Sequence, residues 1–468
     1  MQKRYFLAMI LCVAAIGQWA GAQALTDAEA QEQAENLVNP DGPEAAEAQA
    51  AGPARPEEGA APDAQKAALD YFITEAPTRH NDPRRLWEAG SLTSINLANN
   101  VGSIRDLFYK NLVIDLDKMN RDTPKDGLRL NMDLGFHGFI NVNPNKNAKT
   151  EGPGATVWER DWGVGGFAGG NARVDVHLPK DLITLASQGN YDQHNVTGTL
   201  AVSGAAFAEA GLKGHMTLLV LDRKLRLEAA PSWFLPVAYI PRSTLDITLI
   251  TEDRLQVSTS ADASVYMPFD AQGRMKDFGG GDLSVSGEYA LFPILDLGAG
   301  LFHIPVIPAR LSNKAGFGFE NDLKVDDIFE WIKKDNPMDD MGEFKLSDLA
   351  AAKEIWVLRP LRFDVYALFR PLRNDFLTIK PNIGFTVLNP SQENYFNWGL
   401  EGQLNFADIL YLSLGTGLEE GLWRHKLGLT MDFHAIALTL GAGLRSQDFA
   451  HSFQLNGLSV NLGCTIGW

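Results

Sequence analysis

Hydrophobic and polar residues alternate with a period of two over long parts of the chain. From Leu128 to Val142 every even position is apolar or glycine, whereas Arg129, Asp133 and His137 lie at odd positions. Such alternation is typical of a strand with one apolar and one polar face. Strands of soluble sandwiches have about five or six residues, but a tilted strand that crosses a bilayer needs about nine to eleven. The length of this run therefore predicts a membrane-crossing strand.

The same alternation recurs downstream and predicts that most of the chain is strand. Further runs lie at residues 162–178, 196–210, 255–267, 355–369, 377–387, 396–406, 423–433 and 436–444. Counting both halves of each hairpin gives roughly 14 to 16 strands, and an even number is expected of a bacterial barrel. Pro231, Pro236 and Pro241 favour an edge strand, a bulge or a loop over a central strand at residues 230–241.

Beyond the N-terminal region the chain contains no apolar run of about 18 residues or more, which excludes a helical membrane protein. A closed barrel is the remaining structure that satisfies every backbone hydrogen bond in lipid. The predicted fold class is therefore all-β, a transmembrane antiparallel β-barrel over residues 127–468. Residues 67–126 precede the clear alternation and are predicted to form a short plug or periplasmic segment.

The final strand alternates up to the last residue. Val460, Leu462, Cys464, Ile466 and Trp468 share one face, with small and polar residues between them. This pattern resembles the C-terminal signal of bacterial outer-membrane proteins, which is read by the barrel-assembly machinery. The aromatic ring of Trp468 is expected at the boundary between lipid and water, where amphipathic rings are favoured. The expected partners are thus outer-membrane lipid and the assembly machinery.

The N-terminal residues have the features of a secretory signal peptide over residues 1–24. Lys3 and Arg4 precede a short apolar run, and Ala22-Gln23-Ala24 fits a cleavage pattern. We therefore expect export to the bacterial outer membrane. Residues 25–66 are rich in Ala, Glu, Gln and Pro and predict a flexible acidic spacer.

A strongly charged insertion interrupts the barrel pattern at residues 321–354. Within it, VDDIFEWIKKDNP predicts a short helix that ends at Pro337, and LSDLAAAKE predicts a second helix. Long loops in compact domains are often functional, so the insertion is interpreted either as a gating or ligand-contacting loop or as a solvated loop without a special role.

The net charge and the sequence motifs limit the partners and activities that are expected of the chain. The formal net charge of −17 argues against a nucleic-acid partner, because phosphates select basic surfaces. The nine histidines form no metal-binding motif, and no G-x-S-x-G sequence is present. The glycine-rich segment 163–170 lies in an alternating run rather than before a helix, so it indicates close backbone approach in a strand and not a nucleotide loop. No enzyme activity, cofactor or metal is predicted.

The inward polar positions are the candidate functional residues. Arg129, Asp133 and His137 on the first clear strand, and Glu401 on a late one, line the lumen if the apolar face meets lipid. A second pair of candidates, Arg359 and Arg362, flanks Pro360 near the start of a strand. The alternative interpretation is that these side chains simply solvate a wet lumen.

Two segments carry a family resemblance. YALFPILDLGAGLFHIPVIPARL, residues 289–311, resembles the strand-turn-strand units of the long-chain fatty-acid channel superfamily. It is more similar still to an uncharacterised family of outer-membrane proteins of diderm bacteria, and LPKDLITLASQGN at residues 178–190 resembles the same group. The fatty-acid channels have an Asn-Pro-Ala motif in an N-terminal plug, from which Asn39-Pro40-Asp41 departs. The resemblance implies a barrel and a transport role, and no binding residue is carried over.

Three functional hypotheses follow. The first is a channel or transporter for small or hydrophobic solutes. The second is a structural or surface-interaction barrel without transport activity, suggested by the charged insertion and the acidic spacer. The third, an outer-membrane hydrolase, has no motif in its favour.

Overall fold

A computed structural model describes residues 85–100, 116–125, 127–144, 162–188, 196–221, 223–250, 255–325, 345–372, 376–387, 394–447, 449–453 and 456–468. The predicted signal peptide, the acidic spacer and most of the predicted helix VDDIFEWIKKDNP lie outside the described residues. None of the described helices is long and apolar enough to cross a bilayer.

The described residues form seventeen strands and three short helices. The strands are β1 (Trp87–Asn99), β2 (Leu128–Val142), β3 (Trp162–Leu178), β4 (Val196–Val220), β5 (Arg223–Ile250), β6 (Leu255–Met267), β7 (Gly280–Phe292), β8 (Leu295–Ile307), β9 (Ala309–Val325), β10 (Lys345–Val357), β11 (Leu361–Phe369), β12 (Leu377–Val387), β13 (Tyr395–Phe406), β14 (Leu410–Glu419), β15 (Leu422–Asp432), β16 (Ile436–Ser446) and β17 (Gly457–Gly467). The helices are α1 (Leu116–Asp122), α2 (Lys180–Gln188) and α3 (Phe449–Ser452).

Fourteen of the strands close into an antiparallel barrel. Around the barrel the order is β1 to β5, then β7, β8 and β11, then β12 to β17, and β17 pairs with β1. The predicted all-β barrel of 14 to 16 strands is therefore confirmed. The bounds of β2, β3, β6 and β12 agree with the predicted runs.

The barrel begins earlier than predicted. Trp87–Asn99, within the predicted plug or periplasmic segment 67–126, is a wall strand that pairs with both β17 and β2. The prediction is wrong for these residues, because small hydroxyl side chains at Ser91 and Thr93 lie on the outer face while Leu92 lies on the inner face. Because both faces of β1 contain polar and apolar residues, the sequence shows no clear alternation there.

The strands extend to different heights. We call the end that carries Trp87 and Trp468 the lower end and the opposite end the upper end. The long strand β5 pairs with β7 through its lower residues 225–234 and with β6 through its upper residues 239–250. The strands β6, β9 and β10 therefore lie above β7, β8 and β11. β9 pairs with β6 on one side and with β10 on the other. These three strands, with the upper half of β5, are named the upper lobe.

The upper lobe corrects the prediction for the insertion 321–354. Its first residues, up to Val325, belong to β9, and LSDLAAAKE lies in β10 instead of forming a helix. Alanine favours a helix locally, but the hydrogen bonds to β9 decide the conformation here. The charged stretch between the two strands lies outside the described residues.

The prolines of β5 are accommodated in a central strand, contrary to the edge or loop prediction. The predicted irregularity is nevertheless present, because the pairing with β4 shifts its register next to Pro236. A second shift, between Tyr239 and Thr244 in the pairing with β6, spans Pro241. Pro236 and Pro241, which have no backbone N–H to donate, therefore lie where the hydrogen-bonded ladder of β5 is interrupted.

The two faces of the wall differ in chemistry. On β2 the outward Phe136 is 55% exposed, whereas the neighbouring inward His137 is 9% exposed. The final strand follows the same rule, since Leu462, Ile466 and Trp468 are exposed on the outer face. An apolar outer surface with a polar interior is the arrangement of outer-membrane barrels.

Candidate functional site: the ion-paired lumen

The barrel interior is filled by side chains that lie over inward-facing glycines. The glycine residues of segment 163–170 lie within β3, as the sequence predicts, and not before a helix. The ring of Phe167 occupies the space beside Gly211, where a Cβ atom would overlap it. His137 similarly lies against Gly169. The small residues thus bring polar and aromatic side chains of neighbouring strands into one layer.

A first group of ion pairs lies at mid-height and is named the central bridge. Arg359, in the link between β10 and β11, binds Glu209 of β4 through its Nη1 atom at 2.6 Å from Oε2. Its Nε lies 3.5 Å from Asp282 of β7, and its guanidinium also contacts the ring of His303 on β8. His137 approaches Glu209 from β2, at 3.8 Å. The central bridge therefore joins the β2–β4 side of the interior to the β7–β11 side.

A second group lies near the upper end and is named the upper bridge. Arg173 of β3 binds Glu420, which lies in the turn between β14 and β15, on a nearly opposite part of the ring. The guanidinium is also held by Asp175, with Nε 2.9 Å from Oδ2. Asn131 donates to the same carboxylate at 2.7 Å. An interaction between these two walls crosses the lumen.

Glu420 has an unusual backbone conformation for its residue type. Glu420 and Gly421 form a two-residue hairpin turn in which both φ angles are positive, 51° and 78°. Asn, Asp and Gly are preferred in such turns, and a non-glycine residue in this region costs about 1–3 kcal/mol. Asn397 compensates in part, because its Oδ1 accepts the N–H of Glu420 at 2.7 Å. The turn keeps the Glu420 carboxylate directed to the opposite wall at an energetic cost.

A third group lines the wall from β11 to β15. Glu419 binds Arg362 at 3.1 Å and also contacts Arg424. Lys426 lies 3.8 Å from Glu401 and 3.9 Å from Glu419. Each of the three cations in this group therefore lies beside at least one carboxylate.

The sequence-predicted residues divide among these groups. His137 belongs to the central bridge, and Glu401 to the third group. Asp133 lies opposite Arg173 in the pairing of β2 with β3, and Arg129 lines a cavity beside the upper bridge. The structure thus does not bring the four together into one site.

Sequence reasoning missed Arg173, Glu209, Glu419 and Glu420. Arg173 and Glu209 have the inward phase of their strands, so the period of two was a usable signal for both. Glu420 lies in a turn, where no alternation indicates the direction of its side chain. Its partner is set by the diameter and stagger of the barrel, which a local pattern does not contain.

The cavity at the upper bridge has a volume of about 140 Å³. Its polar lining includes Arg129, Arg173, Arg242, Asp175 and Glu420. Within the described part of the chain, no group of three or more His, Cys, Asp or Glu side chains is placed to hold a metal ion.

Comparison with known proteins finds similar structures but no matching sequence. No protein-family model matches the chain, and no curated protein matches it. The chain is similar to a deltaS2S3 mutant of the monoaromatic hydrocarbon channel TodX, with 9% identity and a TM-score of 0.40 over 82% of this chain and 90% of that one. The toluene transporter TbuX of Ralstonia pickettii gives 9% identity and a TM-score of 0.34, over 81% and 87% of the two chains. A FadL homologue of Pseudomonas aeruginosa gives 8% and 0.32, over 82% and 90%.

These proteins belong to the class of channel that the sequence resembles. At such identities and TM-scores the likeness concerns barrel architecture alone, and it carries no argument about what this chain transports.

Proposed function

We propose that the chain is an outer-membrane channel for small solutes whose resting lumen is closed by ion pairs. The observation that carries the proposal is that Arg173 and Glu420 join nearly opposite walls of a closed barrel with a polar interior. A pair of charges that joins opposite walls lies across the path of a solute, so the pair must separate before the solute can pass. Hydrogen bonds to charged groups contribute about 1.5–3 kcal/mol each, so a bridge of this kind is strong enough to close and weak enough to open.

The outer surface supports a membrane location. Trp233, Phe278 and Trp356 are exposed at the level where the upper lobe begins, and the indole N–H of Trp233 donates to the carbonyl oxygen of Phe278 at 2.7 Å. Phe433 and Trp468 are exposed at the lower end. From Arg223 to Trp233, a rise of about 3.4 Å per residue at a tilt of about 40° gives a height of about 26 Å. This agrees with the apolar band of about 25 Å in outer-membrane barrels.

The lengths of the connections support an orientation. Tight turns join β7 to β8, β13 to β14 and β15 to β16 at the lower end. The helices α1, α2 and α3 and the upper lobe lie at the upper end. The two-residue turn between β14 and β15 at the upper end and the connection of residues 143–161 at the lower end are exceptions to this division. Because bacterial barrels have mostly short periplasmic turns and longer external loops, we place the upper end outside the cell.

Single-channel recording in planar bilayers tests this function. Glu420→Gln removes the charge that binds Arg173 while keeping the side-chain length, so we expect the open fraction to rise at least threefold over the wild type. Glu354→Gln is the matched control, because Glu354 pairs with Arg310 in the upper lobe, where both side chains are half-exposed. We expect this variant to conduct like the wild type.

The proposal fails if the wild type and Glu420→Gln are both silent although each shows the heat-dependent gel mobility of a folded barrel. That outcome favours the alternative, a structural or surface-interaction barrel. Equal open fractions in Glu420→Gln and Glu354→Gln would show that the upper bridge does not close the lumen.

A further inference from the structure

The side chain of Arg359 lies in a cage that four wall strands build around it. This side chain is 5% exposed and is bound by Glu209 of β4, with Nη1 2.6 Å from Oε2, while its Nε lies 3.5 Å from Oδ2 of Asp282 on β7. The Cζ atom lies 5.7 Å from the ring centroid of Phe234 on β5. His303 of β8 completes the enclosure, because its Nε2 contacts the guanidinium. We name these four wall residues the guanidinium cage.

Every polar group that the cage presents to Arg359 is a hydrogen-bond acceptor. The Nδ1 atom of His303 lies 3.0 Å from the carbonyl oxygen of Pro360. A carbonyl oxygen can only accept, so Nδ1 carries the proton and Nε2 of the neutral ring is left as an acceptor. The two carboxylates are acceptors as well, and Phe234 adds the negative face of its ring. The cage therefore selects a cation with several N–H donors and rejects an anion.

The backbone of β8 is distorted where His303 enters the cage. Its φ angle is 59°, a left-handed conformation that residues other than glycine rarely adopt. The distortion coincides with a register shift in the pairing of β7 with β8, between Leu283 and Val285. The Oγ atom of Ser284 accepts the N–H of His303 at 3.1 Å. Strained positions of this kind are concentrated at functional sites, so the distortion favours a binding role for this side chain.

Arg359 satisfies the cage incompletely. The carboxylates of Glu209 and Asp282 face one guanidinium, so the formal balance of the three groups is one negative charge. The side chain of Asp282 is 1% exposed, and its Oδ1 atom accepts a hydrogen bond from Ser232. Within the described part of the chain its Oδ2 atom has no hydrogen-bond partner, which is unfavourable for a buried carboxylate. A guanidinium that is not tethered to the chain can move toward Asp282 and donate to both carboxylates.

The attachment of Arg359 allows it to leave the cage. The four cage residues lie on wall strands, whereas Arg359 lies in the link of residues 358–360 between β10 and β11. Its withdrawal therefore breaks no hydrogen bond between wall strands. A group on a short tether competes with a free solute at an effective concentration on the order of millimolar. Such competition keeps the affinity low, as a site on a conduction path requires for release of its solute.

We propose that the guanidinium cage is a binding site for small guanidinium cations in the lumen, and that Arg359 occupies it as a tethered substitute which the solute displaces. The inference rests on the proposed channel function and names a class of solute for it. The planar fork of a guanidinium matches carboxylate geometry and stacks on an aromatic ring, whereas a compact ammonium ion lacks this fork. Displacement of Arg359 also releases the central bridge, because this side chain connects Glu209 to Asp282.

Calorimetric titration of the full chain in detergent tests the inference, with methylguanidinium as the probe and methylurea as its uncharged equivalent. Arg359→Ala removes the tethered guanidinium and keeps the four cage residues. We expect this variant to bind methylguanidinium at least tenfold more tightly than the wild type does, and at least tenfold more tightly than it binds methylurea. Arg310→Ala is the matched control, because it removes a guanidinium that pairs with Glu354 at a half-exposed position of the upper lobe. This control should bind methylguanidinium like the wild type.

A second variant and a second measurement cover the role of the cage and the folding of Arg359→Ala. Adding Glu209→Gln to Arg359→Ala removes one carboxylate of the cage, so we expect methylguanidinium binding to weaken at least tenfold. If Arg359→Ala does not fold alone, its refolding yield is measured by heat-dependent gel mobility. A ligand that binds the folded state stabilises it, so methylguanidinium should raise this yield at least threefold more than methylurea does.

Three outcomes overturn the inference. The first is equal affinity of Arg359→Ala and the wild type for methylguanidinium. The second is an equal effect of methylguanidinium and methylurea on Arg359→Ala, in binding or in refolding yield. The third is binding that is unchanged when Glu209→Gln is added.

The two proposals fail separately. Conductance in bilayers without methylguanidinium binding by Arg359→Ala overturns the cation site and leaves the channel in place. Methylguanidinium binding by a barrel that is silent in every variant overturns the channel and leaves the binding site in place.

Discussion

Individual residues decide how closely the strands of this barrel pack across their inner faces. The ring of Phe167 lies against Gly211, and His137 lies against Gly169. Neither glycine is in a turn. At Gly211 the ring of Phe167 occupies the volume that a Cβ atom would fill, and at Gly169 the backbone carbonyl oxygen of Phe136 occupies it.

Gly211→Ala tests this use of glycine. The added Cβ atom would overlap the ring of Phe167, and overpacking of this kind costs about 1–3 kcal/mol. We expect the free energy of unfolding in detergent, measured by urea titration, to fall by that amount. Gly402→Ala is the control, because nothing lies within 4 Å of its added atom. Equal losses in the two variants would contradict the packing argument.

At the scale of elements, the period of two was sufficient to predict most of the wall. It failed where lipid-facing hydroxyls and inward apolar residues mix, as at Ser91 and Leu92 of β1. It also failed in β10, where Ala350 to Ala352 favour a helix locally and only the hydrogen bonds to β9 impose a strand. These two strands are defined by their neighbours, which are remote in sequence in the case of β1.

The pairing of β1 with β17 can be tested through the lone thiol of the described chain. Ser91 is the register partner of Cys464, and directly paired residues on one face have Cβ atoms close enough for a disulfide. We expect Ser91→Cys to form an intramolecular disulfide with Cys464 on mild oxidation. The product is recognised by a mobility shift of the boiled protein that reductant reverses.

Ser94→Cys is the matched control for the disulfide experiment. It lies three residues further along β1, where the side chain has the inward phase and the register partner is Asn461. We expect no intramolecular disulfide from this variant. A disulfide in Ser94→Cys but not in Ser91→Cys would place β1 in another register.

The candidate site could be predicted from the sequence only in part. The phase of the alternation predicts that His137 faces the interior, and its side chain is 9% exposed. It did not reveal that Glu209 and Arg359 meet there. That contact depends on the number of strands, on their stagger and on the link at residues 358–360, none of which is a local property.

At the scale of the whole molecule, the apolar outer surface is the feature that a membrane location requires. Leu414 lies midway along β14 and is 59% exposed. Leu414 belongs to an outer surface whose many exposed apolar side chains are unfavourable in water and favourable in lipid.

Leu414→Arg tests the position of the membrane band. A cationic side chain at the bilayer midplane costs about 2–4 kcal/mol, so we expect the unfolding free energy in liposomes to fall by that amount. Thr197→Arg, at an exposed position near the upper end of β4, should change it by less than about 0.5 kcal/mol. Similar effects at both positions would mean that the band does not lie where the aromatic residues place it.

The position of the upper lobe in the chain also constrains how the molecule folds. Most neighbouring wall strands are consecutive in sequence, and β14 and β15 are joined by two residues. β8 and β11, however, pair only after the chain between Ile307 and Leu361 has been looped out. Closing that loop costs about 3 kcal/mol more in chain entropy than a two-residue turn. The β6–β9–β10 sheet supplies the contacts that offset this cost, so the lobe and the adjacent wall are expected to form together, as one late cooperative event.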